Sequence, residues 1–275
     1  MKLVSFTHHG KAGFGRVDGD DVIDLSSAVL PDLKTALAEG LSALPASGPR
    51  LSLHAVTLLP PIPNPDKIFC VGINYADHRE ETGRAATDYP TIFTRFADTQ
   101  VAHGQPLIRP KASERFDYEG ELAVISGKAG RAIAEAEALT HVAGYACYND
   151  GSIRDWQNHT SQFTPGKNFP GTGGFGPWMV TADEAGPVDQ MTVTTRLNGQ
   201  VVQHASCSLL IFNVAQCIAY ISGFTELRPG DVISTGTPGG VGAKRVPPLW
   251  MKAGDVAEVE IAGVGTLRNP VVNEG

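Results

Sequence analysis

The stretch Asp117-Tyr118-Glu119-Gly120-Glu121-Leu122-Ala123-Val124-Ile125 joins an acidic segment to an apolar one. Successive side chains of a β-strand point to opposite faces, so this spacing predicts that Asp117, Glu119 and Glu121 share one face of a strand over 118–126. Three like charges next to an apolar, buried segment repel one another. A positive group is therefore expected among them.

A further acidic residue completes a candidate metal site. Asp150 follows an apolar strand pattern over 141–148 and precedes Gly151, where a turn begins. Carboxylate ligands without histidine favour Mg²⁺, Mn²⁺ or Ca²⁺ over zinc or copper, and three acids leave coordination positions for water and substrate. The alternative is an acidic strand face in solvent, because alternating charge is also typical of an exposed strand.

Most of the chain after residue 66 carries strand patterns between glycines and prolines. They lie at residues 67–72, 91–96, 118–126, 141–148, 192–197, 231–235 and 256–261. Helices are predicted at 76–82, 153–160 and 213–222. Asn198-Gly199 predicts a tight hairpin turn. These patterns indicate an α+β, β-rich fold of largely antiparallel strands.

The first sixty-two residues predict a small α+β domain. Strand patterns lie at 2–7, 22–25 and 51–59, and a helix pattern at 31–44. The run Pro60-Pro61-Ile62-Pro63-Asn64-Pro65-Asp66 interrupts them, because proline lacks the N–H group that a continuing strand needs. We therefore predict an N-terminal domain over 1–62 and a larger domain over 63–275.

Composition narrows the classes of function. The 275 residues carry a net charge of −7 with 42% hydrophobic residues, which is typical of a globular protein and argues against a nucleic-acid partner. No apolar run reaches membrane-span length and no signal-peptide core follows Met1, so we expect a cytoplasmic protein with a small-molecule partner and no membrane contact. The cysteines lack metal-ligand spacing and are expected to be buried free thiols, namely Cys70, Cys147, Cys207 and Cys217.

Five motifs occur in an order that resembles the fumarylacetoacetate hydrolase family. They are Cys70–His78, Glu119–Leu122, Asn149–Asp155, Gly166–Phe169 and Thr235–Gly242. The resemblance covers roughly residues 65–270. It implies a mixed β-sandwich roll as the catalytic domain, a small N-terminal domain as in bacterial two-domain members, Mg²⁺ or Mn²⁺ as cofactor, and a homodimer.

The resemblance also implies roles for individual residues. Glu119, Glu121 and Asp150 match the metal ligands of the family. His78 matches the general base, and Glu81, three residues later on the same helix face, matches its acidic partner. Without the resemblance, His78 would read as a surface or capping residue at a helix start.

Four further residues match positions that contact the substrate or the developing oxyanion. Arg154, Gln157 and Lys167 match residues of that kind, and Thr237 lies in the loop that holds the substrate carboxylate. A lysine common in the family is replaced by Arg95, whose planar fork suits a carboxylate and favours a substrate with an additional anionic end.

Two segments of the chain are rich in glycine. Residues 170–178 depart from the family pattern and are expected to form a loop that reshapes the pocket. Gly239-Gly240-Val241-Gly242 resembles a phosphate-binding loop superficially, but no lysine-serine pair follows it. Nucleotide binding is therefore not expected.

The predicted chemistry leaves several reactions open. A 2-oxo acid can chelate a divalent ion through its carboxylate and oxo oxygens, and the ion then favours an enolate, with His78 as base. Our first hypothesis is a hydrolase that cleaves a C–C bond of a 2,4-diketo acid of the acylpyruvate or fumarylpyruvate type. The alternative is an isomerase or decarboxylase of a dicarboxylic 2-oxo acid in aromatic-compound catabolism. A catalytically silent metal- or ligand-binding protein is the alternative from another class.

Overall fold

The chain is built mainly from β-strands, and the computed structural model describes it from Met1 to Gly275. The strands are β1 (Lys2–His8), β2 (Lys11–Asp18), β3 (Asp21–Asp24), β4 (Arg50–Ser52), β5 (Thr57–Leu58), β6 (Ile68–Gly72), β7 (Thr91–Arg95), β8 (Gln100–Val101), β9 (Leu107–Arg109), β10 (Phe116–Asp117), β11 (Gly120–Ser126), β12 (Val142–Asn149), β13 (Ser152–Ile153), β14 (Gly173–Thr181), β15 (Thr192–Leu197), β16 (Gln200–Ser206), β17 (Val232–Ser234), β18 (Val256–Ile261) and β19 (Gly265–Asn273). The α-helices are α1 (Leu33–Glu39), α2 (Ala76–Thr82), α3 (Arg154–Gln157), α4 (Thr164–Lys167), α5 (Ala182–Ala185) and α6 (Val214–Phe224). Short 3₁₀ helices occupy Leu41–Ala43, Leu53–Ala55, Ala97–Thr99, Glu135–His141, Val188–Gln190, Cys207–Leu209 and Gly242–Lys244.

Two large sheets form a sandwich. The larger sheet has the order β4-β3-β2-β1-β14-β12-β11-β17-β6-β7, with β5 beside β1 and β8 beside β14, and the smaller has the order β16-β15-β18-β19-β9. Most pairs are antiparallel, but β17–β6, β14–β8 and β19–β9 are parallel. Strands β11, β12 and β14 pack against the smaller sheet, and Leu122 and Val259 share a core there. The predicted β-rich α+β fold with a mixed sandwich is confirmed.

The N-terminal residues continue the larger sheet. Strand β1 pairs with β14, with Leu3 opposite Met179. Leu3 and Leu33 belong to the same hydrophobic cluster as Ala123 from the centre of the sheet. The division at residue 62 therefore stays a prediction about sequence units, because the two units share a core.

Several local predictions agree closely with the structure. Helix α2 and strands β15 and β18 have the predicted bounds. Asn198 and Gly199 connect β15 to β16 with φ angles of 54° and 78°, as a two-residue hairpin turn requires. All four cysteines are buried free thiols, as predicted. None of the helices combines the length and the apolar character that would be needed to span a membrane.

Other local predictions were wrong. The continuous helix over 31–44 ends at Glu39, because Gly40 adopts a φ of 93°. The strand expected over 51–59 is split by a 3₁₀ turn. The glycine-rich segment 170–178 is not a pocket loop, since most of it enters the central strand β14.

Close packing explains the glycines at the start of β14. A Cβ atom on Gly173 would lie 2.4 Å from Gln100 Oε1, and one on Gly174 would lie 2.8 Å from Asn269 Oδ1. The segment therefore lacks the β-branched pattern from which strands are usually recognised.

Candidate active site

Three buried carboxylates converge where β11 begins and β12 ends. Gly120 lies opposite Asn149 in this antiparallel pair, and the Asp150 N–H donates to the carbonyl oxygen of Glu119 at 2.8 Å. The register therefore brings Asp150 next to Glu119 and Glu121. One oxygen from each of the three side chains lies within 4.8 Å of the others.

Glu121 is the carboxylate in this cluster without a cationic partner. Its Oε2 atom accepts hydrogen bonds from Ser234 Oγ and, at 2.9 Å, from the N–H of Gly236. Burial and the neighbouring charges of Asp150 and Glu119 raise its pKa well above the ordinary value. Without a cation the protonated form of Glu121 is therefore favoured, and a bound cation would take the place of that proton and favour the carboxylate.

Two cationic side chains compensate Glu119. Lys167 is 1% exposed, and its Nζ lies 2.6 Å from both Glu119 Oε2 and Asp150 Oδ2. Arg154 Nη2 lies 2.7 Å from Glu119 Oε1. Burial alone would raise the pKa of Glu119, but Arg154 and Lys167 lower it below the ordinary value, so this carboxylate is ionised.

Asp117 does not belong to the metal-ligand set. The predicted continuous strand is broken between β10 and β11, and Asp117 is not among the three acids whose oxygens approach one another. It instead accepts a hydrogen bond from Arg154 Nε at 2.8 Å and from the N–H groups of Gly242 and Ala243. The prediction of three acids on one strand face is wrong for this residue.

The donor set fits a hard divalent cation. The buried acids are Asp117, Glu119, Glu121 and Asp150, and the buried cations are Arg95, Arg154 and Lys167. When all four acids are ionised, as they would be around a bound cation, four negative charges minus three positive charges leave one net negative charge to attract that cation. The candidate ligands are oxygen atoms alone, as Mg²⁺ and Mn²⁺ prefer. The structure thus supports a metal site, and the identity of the ion stays a prediction.

A cavity of about 200 Å³ opens beside this cluster. The predicted residues on its wall are His78, Glu119, Glu121, Arg154, Gln157, Lys167 and Thr237. Arg154 Nη1 donates to Gln157 Oε1 at 2.9 Å, which fixes both side chains against the wall. Thr237 Oγ1 donates to the carbonyl oxygen of Gly120 at 3.0 Å, so its hydroxyl also holds the start of β11. Apolar side chains such as Phe93 and Phe163 complete the wall.

His78 and Glu81 form a hydrogen-bonded pair on α2. His78 Nδ1 lies 2.7 Å from Glu81 Oε1, and the second Glu81 oxygen accepts the N–H of Gly240 at 2.9 Å. Burial acts to raise the pKa of Glu81, but hydrogen bonds from His78 and Gly240 lower it overall. The ionised carboxylate therefore orients the imidazole, which is 6% exposed and lies on the cavity wall.

Arg95 lies behind Asp150 rather than on the cavity wall. It is 2% exposed, and its Nη1 donates to Asp150 Oδ1 at 2.7 Å and to the carbonyl oxygen of Gly151 at 2.9 Å. Its Nη2 donates to Thr172 Oγ1 at 2.8 Å. The expected contact with a substrate carboxylate is not supported by this geometry, because both terminal nitrogens are already engaged and Arg95 does not line the cavity. Arg95 instead holds a candidate metal ligand in place.

Sequence reasoning missed several polar residues of the site as well as its apolar wall. Ser234 and Gly236 hold Glu121, although Gly236 lies inside the motif Thr235–Gly242. Arg84 and Lys244 also line the cavity. Their only sequence signal is adjacency, since Arg84 follows α2 and Lys244 follows the glycine-rich loop.

Comparison with known proteins identifies the family. Residues 67–272 match the family described as Fumarylacetoacetate (FAA) hydrolase C-terminal, and residues 1–61 match the one described as Rv2993c-like, N-terminal. The chain belongs to the fumarylacetoacetate hydrolase family. The ordered motifs thus identified the family correctly.

Members of the fumarylacetoacetate hydrolase family with different names resemble this chain. The mitochondrial oxaloacetate tautomerase fahd2 of Xenopus laevis is 38% identical over 289 aligned positions, which cover 99% of this chain and 90% of the relative. The fumarylacetoacetate hydrolase of Exiguobacterium antarcticum is 37% identical, with a TM-score of 0.87 over 100% of both chains. The 5-carboxymethyl-2-hydroxymuconate delta-isomerase of Mycobacterium smegmatis is 29% identical, with a TM-score of 0.85 over 100% of both chains. The chain is thus an enzyme of this family, with both hydrolases and isomerases among its relatives.

Proposed function

We propose that the protein is a divalent-metal-dependent isomerase or tautomerase of a small dicarboxylic 2-oxo acid. The proposal depends chiefly on one observation: His78, which is hydrogen-bonded to Glu81, lines the same cavity as the candidate metal ligands Glu119 and Glu121. A base and an electrophilic site in one cavity suit proton transfer next to an oxo group. The names of two relatives, a tautomerase and an isomerase, support this reaction class.

The side chains around the cavity can divide the work of proton transfer. An ion held by Glu119, Glu121 and Asp150 would supply Lewis acidity toward a 2-oxo acid. His78 would take the proton from the carbon next to the oxo group and return it elsewhere on the same molecule, while Glu81 stabilises the imidazolium. Lys167 would donate to the oxygen on which negative charge develops.

Two cations at the cavity favour a substrate with a second carboxylate. Arg84 and Lys244 line the cavity, are exposed, and have no carboxylate within ion-pair distance, whereas the buried cations Arg154 and Lys167 are paired with acids. The volume of about 200 Å³ is below the roughly 300 Å³ at which drug-sized pockets begin, so the substrate is small. Arg84 and Lys244, rather than Arg95, are therefore the reason for expecting a second anionic group on the substrate.

Hydrolysis of a 2,4-diketo acid is the second candidate, and the sequence favoured it first. His78 with Glu81 could equally activate a water molecule, and the Exiguobacterium antarcticum relative is named as a hydrolase. Decarboxylation of a dicarboxylic 2-oxo acid needs the same enolate. A cytoplasmic homodimer with Mg²⁺ or Mn²⁺ is part of the proposal.

A substrate screen tests the proposal. The protein is supplied with Mg²⁺ or Mn²⁺ and then with dicarboxylic 2-oxo acids or acylpyruvates, while enol absorbance, pyruvate and CO₂ are followed together. We expect the enol absorbance of a dicarboxylic acid to change without pyruvate or CO₂ release. Release of pyruvate with a second acid would instead establish the hydrolase, and CO₂ release the decarboxylase. Turnover that persists after complete metal removal would contradict the metal-dependent reaction.

Matched variants connect the activity to the cavity. His78→Asn should lower kcat by about 10²-fold or more, because it removes the base. Arg84→Met and Lys244→Met should raise KM for dicarboxylic substrates more than for monocarboxylic ones. Lys252→Met removes one positive charge from a residue that does not line the cavity and should leave KM unchanged.

A further inference from the structure

The glycine-rich loop over residues 237–243 binds carboxylates of the protein itself. Four backbone N–H groups between residues 239 and 243 donate hydrogen bonds to acidic side chains. The pairs are Gly239 to Asp77 Oδ2 at 3.1 Å, Gly240 to Glu81 Oε2 at 2.9 Å, Gly242 to Asp117 Oδ1 at 2.8 Å, and Ala243 to Asp117 Oδ2 at 2.9 Å. The loop thus connects helix α2, which carries His78, to the buried acid Asp117.

Steric contacts explain why this loop is rich in glycine. A Cβ atom on Gly242 would lie 1.9 Å from the carbonyl oxygen of Leu249 and 2.6 Å from Asp117 Oδ1. Gly240 has a φ of +99°, and a Cβ there would lie 2.4 Å from the carbonyl oxygen of Val202. Side chains at these positions would push the N–H groups away from their acceptors.

Asp117 is completely buried, and both of its oxygens are engaged. Oδ1 accepts the N–H groups of Tyr118 and Gly242, and Oδ2 accepts the N–H of Ala243 and Arg154 Nε. Asp117 does not line the cavity, whereas Arg154 does. It therefore contacts two parts of the site without facing the substrate.

We propose that Asp117 is a positioning residue that fixes Arg154 and the 237–243 loop and, through that loop, the Glu81 carboxylate that orients His78. The inference rests on the proposed function only in taking His78 as the base. Without the carboxylate charge, the N–H groups of Gly242 and Ala243 lose a strong acceptor and the loop can shift. Gly240 lies two residues away, so the same shift would withdraw its N–H from Glu81. A misplaced base lowers the rate of proton transfer even when all its atoms are present.

Asp231 provides a matched control. It is also fully buried, accepts the N–H groups of Lys67 and Arg228, and pairs with Lys67 Nζ at 2.8 Å, but it makes no hydrogen bond to the 237–243 loop. Asp117→Asn and Asp231→Asn therefore remove equivalent buried charges. A merely structural effect should be similar in both variants.

The kinetic test is a double-mutant cycle in the metal-loaded enzyme. We expect Asp117→Asn to lower kcat about tenfold and Asp231→Asn to change it less than about twofold. Asp117→Asn combined with Glu81→Gln should lower kcat by clearly less than the product of the two single effects, because Asp117 and Glu81 act in part through one base. The remaining effect of Asp117→Asn is the one transmitted through Arg154. Effects that multiply, or an equal loss in Asp231→Asn, would overturn the proposal.

Hydrogen exchange tests the same coupling without activity. In Asp117→Asn, but not in Asp231→Asn, amides of both 236–244 and α2 should exchange faster. Faster exchange at 236–244 alone would overturn the coupling to α2. If Asp117→Asn does not fold, Arg245→Met loosens the loop from another side, since Arg245 Nε donates to the Gly240 carbonyl oxygen at 3.2 Å, and the same outcomes apply. If the parent protein is inactive, or if His78→Asn is fully active, the proposed function is wrong. The hydrogen-exchange comparison still tests the coupling between the 237–243 loop and α2 in that case.

Discussion

Replacing Glu121 by glutamine should separate metal binding from protein stability. Glutamine has nearly the same shape, and its carbonyl oxygen can still accept hydrogen bonds from Ser234 Oγ and the N–H of Gly236. The variant removes the carboxylate that has no cationic partner, so three buried acids then face three buried cations. We therefore expect Glu121→Gln without metal to be at least as stable as the metal-free parent.

The metal response of the two proteins should differ strongly. An ion present at 100 times its Kd stabilises the folded parent by about 2.7 kcal/mol, which corresponds to a rise of roughly 5 °C in Tm for a chain of 275 residues. If loss of one of three carboxylate ligands weakens binding about 100-fold, the same ion concentration contributes only about 0.4 kcal/mol. The Tm of Glu121→Gln should then rise by only about 1 °C.

Differential scanning calorimetry with increasing Mg²⁺ or Mn²⁺ after chelator treatment measures both effects. Glu260→Gln is the control, because Glu260 is a partly exposed acid that pairs with Arg196 and makes no contact with the candidate ligands. Its metal response should equal that of the parent. An undiminished Tm rise in Glu121→Gln would refute the assigned ligand, and a large loss of metal-free stability would refute the charge argument.

Three further variants give independent tests. Lys167→Met should lower kcat by about 10²- to 10³-fold in steady-state assays, because it removes the proposed donor to the substrate oxygen on which negative charge develops. An unchanged kcat would exclude Lys167 as that donor. Arg95→Lys should weaken metal binding about tenfold by titration calorimetry with KM unchanged at saturating metal, since Arg95 holds Asp150; the reverse pattern would indicate a substrate contact. The pKa of Glu81 is lowered from 4.5, so its carboxylate should make the folded protein about 1 kcal/mol more stable than Glu81→Gln. This difference should be complete above pH 4.5 and disappear as the pH falls through the pKa of Glu81 in the folded protein, as urea unfolding at several pH values would show. A stability difference between the parent and Glu81→Gln that grows toward acid pH would contradict a lowered pKa of Glu81.

Much of the fold was predictable where a local rule acts alone. The hairpin at Asn198-Gly199 follows from backbone angles that few other residue pairs adopt, and β15 and β18 follow from their alternating patterns. Strand β14 was missed because its glycines are required by neighbouring strands and side chains that are distant in sequence. In the sequence, this need for close packing is visible only as a glycine, which does not indicate a strand.

The acidic motif illustrates the same division within the site. Period-two spacing placed Glu119 and Glu121 together, and the turn after an apolar strand indicated Asp150, because these features depend on a few adjacent residues. The family could likewise be recognised from the order of the motifs, since each motif is a continuous segment of sequence.

Only the tertiary structure separated the residues that face the substrate from those that support them. Asp117 shares the spacing of the metal-ligand candidates, yet both of its oxygens are engaged by Arg154 and by backbone N–H groups, including those of the 237–243 loop. Arg95 carries the charge of a substrate-binding residue, yet it lies behind Asp150. Sequence determined which chemical groups are present and their local spacing. Which of them meet across the fold depends on strand register and packing between distant segments, and those contacts have no local pattern.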